Sequence, residues 1–198
     1  MKVIGITGGV GSGKSKVVDH IAAHYPAVCI KADELAAGLK EPGERCYRPI
    51  LDLLGEEILE KNSRHIDNKK MAERIFSDPE LLAKVNKIIH PAVKEEILGQ
   101  IETYRSEGSR DFFILEAALL INDGYDSIVD SLWYIRADRK VREQRLSETR
   151  GYSPEKSKSM MDSQLPDEVF LEKCQVVIDN SGDFEETIRQ IEKALEQK

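Results

Sequence analysis

The chain has 198 residues, of which 40% are hydrophobic and 33% charged, with 13 glycines and 7 prolines. That length suits one globular domain with a sub-domain inserted in it, and so little glycine and proline excludes a collagen-like or low-complexity chain. No apolar run approaches the roughly 20 residues needed to cross a bilayer. The first residues also lack the pattern of a signal peptide. We therefore expect a cytoplasmic protein with no membrane partner.

The net charge is −7, which argues against a nucleic-acid partner. The charge is unevenly distributed, because residues 136–158 carry eight basic and four acidic side chains. A basic stretch on an acidic protein can bind a small polyanion, although a solvated helix face explains it as well. The 3 cysteines lack the CxxC spacing and are expected to be reduced thiols, without a zinc site.

Five short runs of β-branched or aromatic residues predict the buried strands of a parallel sheet. They are Lys2–Thr7, Ala27–Lys31, 111–116, Ser131–Arg136 and 175–179. Helical patterns separate them, and this alternation predicts a doubly wound α/β fold with right-handed crossovers.

The connection between the second and third strands, about 75 residues long, exceeds what one crossover helix needs. Ser77 and Asp78 followed by Pro79 predict a helix start, with a cap residue before a proline at the first position. Pro91 is predicted to kink or break this helix after His90, so that a second helix covers residues 92–104. We interpret residues 34–107 as a helical, substrate-binding insertion. Residues 1–33 and 108–198 then form the core.

The strongest motif follows the first strand directly and has the pattern GxxxxGK[ST]. Its members are Gly8, Gly9, Val10, Gly11, Ser12, Gly13, Lys14 and Ser15. The glycines allow consecutive N–H groups to surround an anion, and the start of the following helix adds partial positive charge. Lys14 can reach the β- and γ-phosphates, and the Ser15 hydroxyl can ligate Mg²⁺. This phosphate loop (residues 8–15) predicts a P-loop fold of three layers that binds a nucleoside triphosphate.

Two acidic residues follow predicted strands at the edge of the sheet where the phosphate loop lies. Asp33 can accept the proton of a substrate hydroxyl or support Mg²⁺. Equally, Asp33 can be the N-cap of a helix over residues 34–39. Glu116 ends the third strand, where it can hold Mg²⁺ through water, position substrate, or be an ordinary strand-end acid.

The basic stretch predicts a mobile lid. Arg142 and Arg145 lie one turn apart on a predicted helix, and Arg150 follows near its end. A lid that brings guanidinium groups to the transferring phosphate excludes water and stabilises charge. We define residues 139–167 as the lid segment.

Taken in chain order, these features resemble the dephospho-CoA kinase family over nearly the whole length. Residues 4–15 are similar to the family's opening, and Ala32 and Asp33 to the end of its second strand. The remaining matches are His90 and Pro91; Ala118, Leu119 and Leu120; Gln164, Leu165 and Pro166; and Asp179, Asn180, Ser181 and Gly182. The resemblance implies ATP-dependent phosphorylation of the 3′-hydroxyl of dephospho-CoA, which gives coenzyme A and ADP.

The resemblance also implies roles for several of these residues. Asp33 would be the catalytic base, and Lys14, Arg142 and Arg145 would stabilise the transferring charge. The expected ATP contacts are the phosphate loop, Arg150 and Asn180, the last near adenine. Around residues 88–94, the acceptor would meet His90 and Pro91, with Asp33 and Glu116 also in contact with it. A monomer and a small homo-oligomer both remain open.

Four positions depart from the family pattern. Lys31 and Asn122 stand where acids are usual, Ala118 replaces a proline, and Asp167 replaces a frequent arginine. Two alternatives stay open, the second of which is suggested by Lys31, Asn122 and Asp167. One is a kinase of the same fold that acts on a nucleoside or nucleotide, and the other is a nucleotide sensor that binds ATP without turnover.

Overall fold

Five parallel strands form one sheet in the order β2-β3-β1-β4-β5. They are β1 (Lys2–Thr7), β2 (Ala27–Lys31), β3 (Phe112–Glu116), β4 (Ser131–Arg136) and β5 (Val176–Asp179). The computed structural model describes residues 1–76, 78–117, 120–121 and 124–196. Ser77, Ala118, Leu119 and Asn122, which the sequence singled out, lie outside the described residues. The predicted five-stranded parallel sheet is confirmed.

Helices connect the strands of the sheet. They are α1 (Lys14–His24), α2 (Ala32–Gly38), α3 (Tyr47–Leu54), α4 (Asn68–Phe76), α5 (Pro79–Glu107), α6 (Arg139–Arg150), α7 (Pro154–Asp162), α8 (Asp167–Lys173) and α9 (Phe184–Glu196). Short 3-10 turns occur at Glu56–Ile58 and Tyr125–Ser127. Among the described residues, no helix is both long enough and apolar enough to span a membrane.

The core of the sheet is built from the inward faces of the central strands and two helices. Ile4 and Ile6 of β1 are fully buried together with Trp133 of β4. Helix α1 contributes Val17, Val18 and Ile21, and α9 contributes Ile191, Ala194 and Leu195. Burying one such aliphatic side chain stabilises the fold by about 1.5–3 kcal/mol. This packing fixes the position of β1, and therefore of the loop that follows it.

Strand β1 lies between β3 and β4, where the order of the strands reverses along the chain. Ligands of doubly wound folds bind beyond the carboxyl ends of the strands at such a switch point. The register pairs Ile6 with Glu116 and Arg136 with Asp179. The phosphate loop, Glu116 and the residues that follow β5 therefore share one edge of the sheet.

The chain divides into two compact units. One comprises Met1–Ile30 and Tyr104–Lys198, and the other comprises Lys31–Thr103. These bounds differ by a few residues from the predicted core and the predicted insertion (34–107). The binding of substrate by the insertion stays a prediction.

The predicted start of α5 is confirmed. Pro79 is its first residue, and the Asp78 carboxylate accepts hydrogen bonds at 3.0 Å from the N–H groups of Glu80 and Leu81. Two of the N–H groups that lack a partner inside the helix are thereby satisfied.

The predicted alternative of a break at Pro91, with a second helix over residues 92–104, is wrong, because α5 continues through it as one helix of 29 residues. The other alternative, a kink, stays a prediction. An interior proline removes one hydrogen bond and costs about 3 kcal/mol. Buried side chains continue at helical spacing on both sides of it, including Val85, Val93 and Ile97. At about 1.5–3 kcal/mol each, their burial outweighs the cost of the proline.

Candidate active site

The phosphate loop turns sharply between β1 and α1. Gly11 and Gly13 have φ angles of 77° and 88°, in the left-handed region that favours glycine. Gly13 precedes Lys14, the first residue of α1. A Cβ atom on Gly9 would collide with the Arg142 guanidinium, so the close approach of this arginine also requires glycine.

Side chains from distant elements bind the carbonyl groups of the loop. Arg142 Nε donates to the Val10 carbonyl at 2.8 Å, and Asn180 Nδ2 donates to the Ser12 carbonyl at 2.7 Å. Arg145 Nη1 also donates to the Ser12 carbonyl, at 3.3 Å. These hydrogen bonds to the loop carbonyls hold the loop in its turn. In such a turn, consecutive N–H groups form a concave site that binds anions.

Asn180 joins the end of β5 to the phosphate loop. It is 2% exposed, and its Oδ1 accepts a hydrogen bond of 3.0 Å from the Thr187 hydroxyl. Its own carbonyl accepts from Arg145 Nη2 at 2.8 Å. Both ends of the Asn180 amide therefore bind protein groups. The predicted proximity of Asn180 to adenine stays a prediction.

Lys14 folds back over the loop, since its Nζ donates to the Gly8 carbonyl at 2.8 Å and to the Gly9 carbonyl at 3.3 Å. Ser15 Oγ lies 3.5 Å from each carboxylate oxygen of Glu116. The structure thus brings Ser15, the predicted Mg²⁺ ligand, close to Glu116, for which binding of Mg²⁺ through water was one of the predicted uses.

Hard oxygen donors in this arrangement fit Mg²⁺, which commonly binds through one or two protein oxygens together with water and phosphate oxygens. In the described part of the chain, no group of three or more His, Cys, Asp and Glu side chains offers an alternative metal site. Ser15 and Glu116 are residues that could hold the metal.

Arg142 and Arg145 both lie on α6, as predicted, and both contact the phosphate loop. Arg142 is only 8% exposed. Burial lowers the pKa of Arg142 below its ordinary value, and Tyr134 and Asp167 oppose that shift. Arginine nevertheless stays protonated in proteins, so a fixed positive charge lies beside the loop. Arg150 is the exposed last residue of α6.

Asp167, where the sequence departs from the family pattern, influences the phenol of Tyr134. Burial, followed by interaction with Asp167, raises the pKa of Tyr134. The Tyr134 ring also stacks on Phe170 of α8, with 4.7 Å between ring centroids. This ring stacking packs α8 against β4.

Asp33 belongs to the second compact unit, where it lies in the first turn of α2. The N-cap is Lys31, without a side-chain cap, so the interpretation of Asp33 as the N-cap of a helix over residues 34–39 is wrong. The Asp33 side chain is exposed and makes no hydrogen bond or ion pair with a described residue. His90 and Pro91 lie in the middle of α5. The roles of all three in catalysis or substrate binding stay predictions.

Sequence reasoning did not single out Thr187, and it matched Gln164 to the family only as part of the return of the lid, without a contact to the phosphate loop. Gln164 Oε1 accepts hydrogen bonds from the Val10 N–H at 2.9 Å and from Arg142 Nη2 at 2.8 Å. Gln164 lies 154 residues from Val10, and no local pattern indicates a contact over that distance.

A phosphate loop at the switch point of a parallel sheet, with arginines of a helical segment bound to it, defines a P-loop kinase. Solved structures share this fold. TT1252 from Thermus thermophilus matches with a TM-score of 0.82 and 26% identity, over 99% of this chain and 97% of that one. Dephospho-CoA kinase from Campylobacter jejuni has the same fold, with a TM-score of 0.72 and 22% identity over 100% and 97% of the two chains.

The sequence comparisons then define the family. The sequence model of dephospho-CoA kinase (CoaE) matches residues 2–186. Dephospho-CoA kinase of Carboxydothermus hydrogenoformans is 34% identical over 191 residues, which cover 96% of this chain and 91% of that protein. The chain belongs to the dephospho-CoA kinase family, whose members use ATP as phosphoryl donor in the final step of coenzyme A biosynthesis. The predicted family and the predicted kinase activity are confirmed.

Proposed function

We propose that the chain transfers the γ-phosphoryl group of ATP to the 3′-hydroxyl of dephospho-CoA, with the triphosphate held by the phosphate loop. The observation that carries this proposal is the loop itself. Its turn is fixed from outside by Arg142, Arg145 and Asn180, and Lys14 lies over it. Such a loop binds phosphate without further rearrangement, which is the preorganisation that phosphoryl transfer requires.

Mg²⁺ fits beside this loop, held by the Ser15 hydroxyl and by Glu116, directly or through water. When bound with ATP, it would supply positive charge that offsets the negative charge on the transferring phosphate. Glu116 therefore has two compatible uses, in binding the metal and in orienting the acceptor.

Asp33 is the proposed general base. The 3′-oxygen of dephospho-CoA attacks the γ-phosphorus, the bond between that phosphorus and the bridging oxygen breaks, and ADP leaves. The proton of the attacking hydroxyl passes to the Asp33 carboxylate. An exposed carboxylate that has no hydrogen-bond or ion-pair partner among the described residues, two residues after β2, is suited to accept it.

Arg142, Arg145 and Lys14 contribute the positive charge that stabilises the transferring group. Closure of the lid segment, including Arg150, would exclude water and so suppress hydrolysis of ATP. We further propose that the insertion holds the acceptor through the region of His90 and Pro91, and that Asn180 lies near the adenine of ATP. The cytoplasmic location and the lack of a nucleic-acid partner stay expectations from the sequence.

The test is acceptor-dependent release of ADP by the purified chain with ATP, Mg²⁺ and dephospho-CoA. Mass spectrometry of the product should show one added phosphate, and a 3′-nucleotidase should remove it. Adenosine, AMP and a blank without acceptor serve as controls. ADP release that is equal with and without dephospho-CoA would contradict the proposal, and tight ATP binding in that case would indicate a nucleotide sensor.

A further inference from the structure

Gln164 connects the lid segment to the tip of the phosphate loop. It lies between α7 and α8, and its backbone N–H donates to the Met161 carbonyl at the end of α7. Its side-chain oxygen accepts from the N–H of Val10 and from Arg142, while Arg142 Nε donates to the Val10 carbonyl. Both polar groups of Val10 are thus held by a closed ring of three hydrogen bonds.

The two donors of this ring determine which atom of the Gln164 amide points toward them. The Val10 N–H and the Arg142 guanidinium are both donors, so only the carbonyl oxygen of the Gln164 amide can meet them, using its two lone pairs. A shorter side chain cannot reach from the backbone of residue 164 to Val10 and Arg142. A carboxylate of the same length can accept the same two bonds but adds a negative charge beside the phosphate loop.

We propose that Gln164 is a positioning residue for phosphoryl transfer. It holds the tip of the phosphate loop and the Arg142 guanidinium in one fixed relation, so that movement of the lid segment and the shape of the loop are coupled through a single side chain. Gln164 acts through Val10 and Arg142 and not on the reacting atoms. This inference rests on the proposed placement of the triphosphate on the loop.

Loss of the Gln164 side chain should slow mainly the chemical step. Lys14 and the start of α1 still bind the triphosphate without Gln164, so ATP affinity should change little. The tip of the loop and the guanidinium lose their alignment, and a misplacement of about 1 Å can cost about 10²-fold in rate. A role confined to folding would instead lower thermal stability and leave kcat unchanged.

The experiment compares Gln164→Ala and Gln164→Glu with Gln175→Ala. Gln175 is a matched control, because its Oε1 also accepts a hydrogen bond from a backbone N–H, that of Leu132, at 2.7 Å. Leu132 lies at the start of β4, away from the phosphate loop. For each variant we would measure kcat, the KM values for ATP and dephospho-CoA, the binding of a non-hydrolysable ATP analogue, and the melting temperature.

We expect Gln164→Ala to lose about 10²-fold in kcat with nearly unchanged binding of the analogue. Gln164→Glu should regain most of that kcat, since it restores both hydrogen bonds, but with a raised KM for ATP. Gln175→Ala should lose stability and keep its kcat. The inference is overturned if Gln164→Ala turns over as fast as Gln175→Ala, or if Gln164→Glu is as slow as Gln164→Ala.

The wild-type chain separates this inference from the proposed function. If the wild type shows no turnover that depends on dephospho-CoA, the proposed function fails before any variant is compared. If the wild type is active and the Gln164 variants are as fast, only the positioning role fails.

Discussion

Replacing Asp33 by Asn separates general-base catalysis from a structural role at this position. Asn keeps the size of the side chain but cannot take up the proton of the acceptor hydroxyl. Loss of a general base lowers rates by about 10²–10⁴-fold. That range corresponds to about 3–5 kcal/mol in the activation barrier.

The structure limits the accompanying change in stability. Asp33 is exposed and makes no hydrogen bond or ion pair with a described residue, so the substitution removes only its interaction with the positive end of α2. Such interactions contribute about 0.3–1 kcal/mol. For a chain of this size, 1 kcal/mol shifts the melting temperature by about 2–4 °C. The expected effect on catalysis is therefore several times larger than the effect on folding.

Glu34→Gln is the matched control for Asp33→Asn. Glu34 is the next residue in the first turn of the same helix and is also exposed, and it lies 3.4 Å from the Lys31 ammonium. The assay measures kcat with saturating ATP and dephospho-CoA, and a thermal melt of each variant. If Asp33→Asn keeps a kcat within threefold of that of Glu34→Gln, Asp33 is not the base, and Glu116 becomes the next residue to test.

The remaining predictions concern the phosphate loop, the metal and the lid segment. Lys14→Ala should abolish nearly all turnover with an unchanged circular dichroism spectrum, whereas Lys16→Ala, which removes a lysine packed over Phe184, should stay active. Glu116→Gln should raise the Mg²⁺ concentration needed for half-maximal activity, and an unchanged Mg²⁺ dependence would remove Glu116 from the metal site. Amide exchange in the lid segment should slow when an ATP analogue and dephospho-CoA bind together, and equal exchange in both states would exclude a mobile lid.

The elements that could be predicted from the sequence are those determined by neighbouring residues. Each strand is a short run of apolar residues, and burial of such a run selects a strand within a parallel sheet. The phosphate loop is recognisable because glycines at fixed spacing permit one particular turn, and Lys14 and Ser15 follow that turn directly. The location of Glu116 near the phosphate loop could be predicted because the carboxyl ends of parallel strands lie at one edge of the sheet, whereas its binding of the metal stays a prediction.

Other features depend on contacts between residues far apart in the sequence. Pro91 predicts a kink or a break from its local chemistry alone, and the burial of side chains on both sides of it keeps the helix continuous. Asn180 lies 168 residues from Ser12, and its hydrogen bond to the Ser12 carbonyl follows from the order of the strands in the sheet. Periodicity and motif spacing contain no information about such pairs.

The two arginines on α6 illustrate how support and catalysis combine in one site. Arg142 and Arg145 carry the charge expected of lid residues, and each also donates to a carbonyl of the phosphate loop. Because these bonds hold the guanidinium groups in place before substrate arrives, little reorganisation is needed when charge develops on the transferring group. The same bonds keep the loop in its turn, so the loop and its cations form one preorganised unit. Gln164 completes that unit, because its side chain accepts hydrogen bonds from both Val10 of the loop and Arg142. This explains why an uncharged residue outside the phosphate motif should affect the rate.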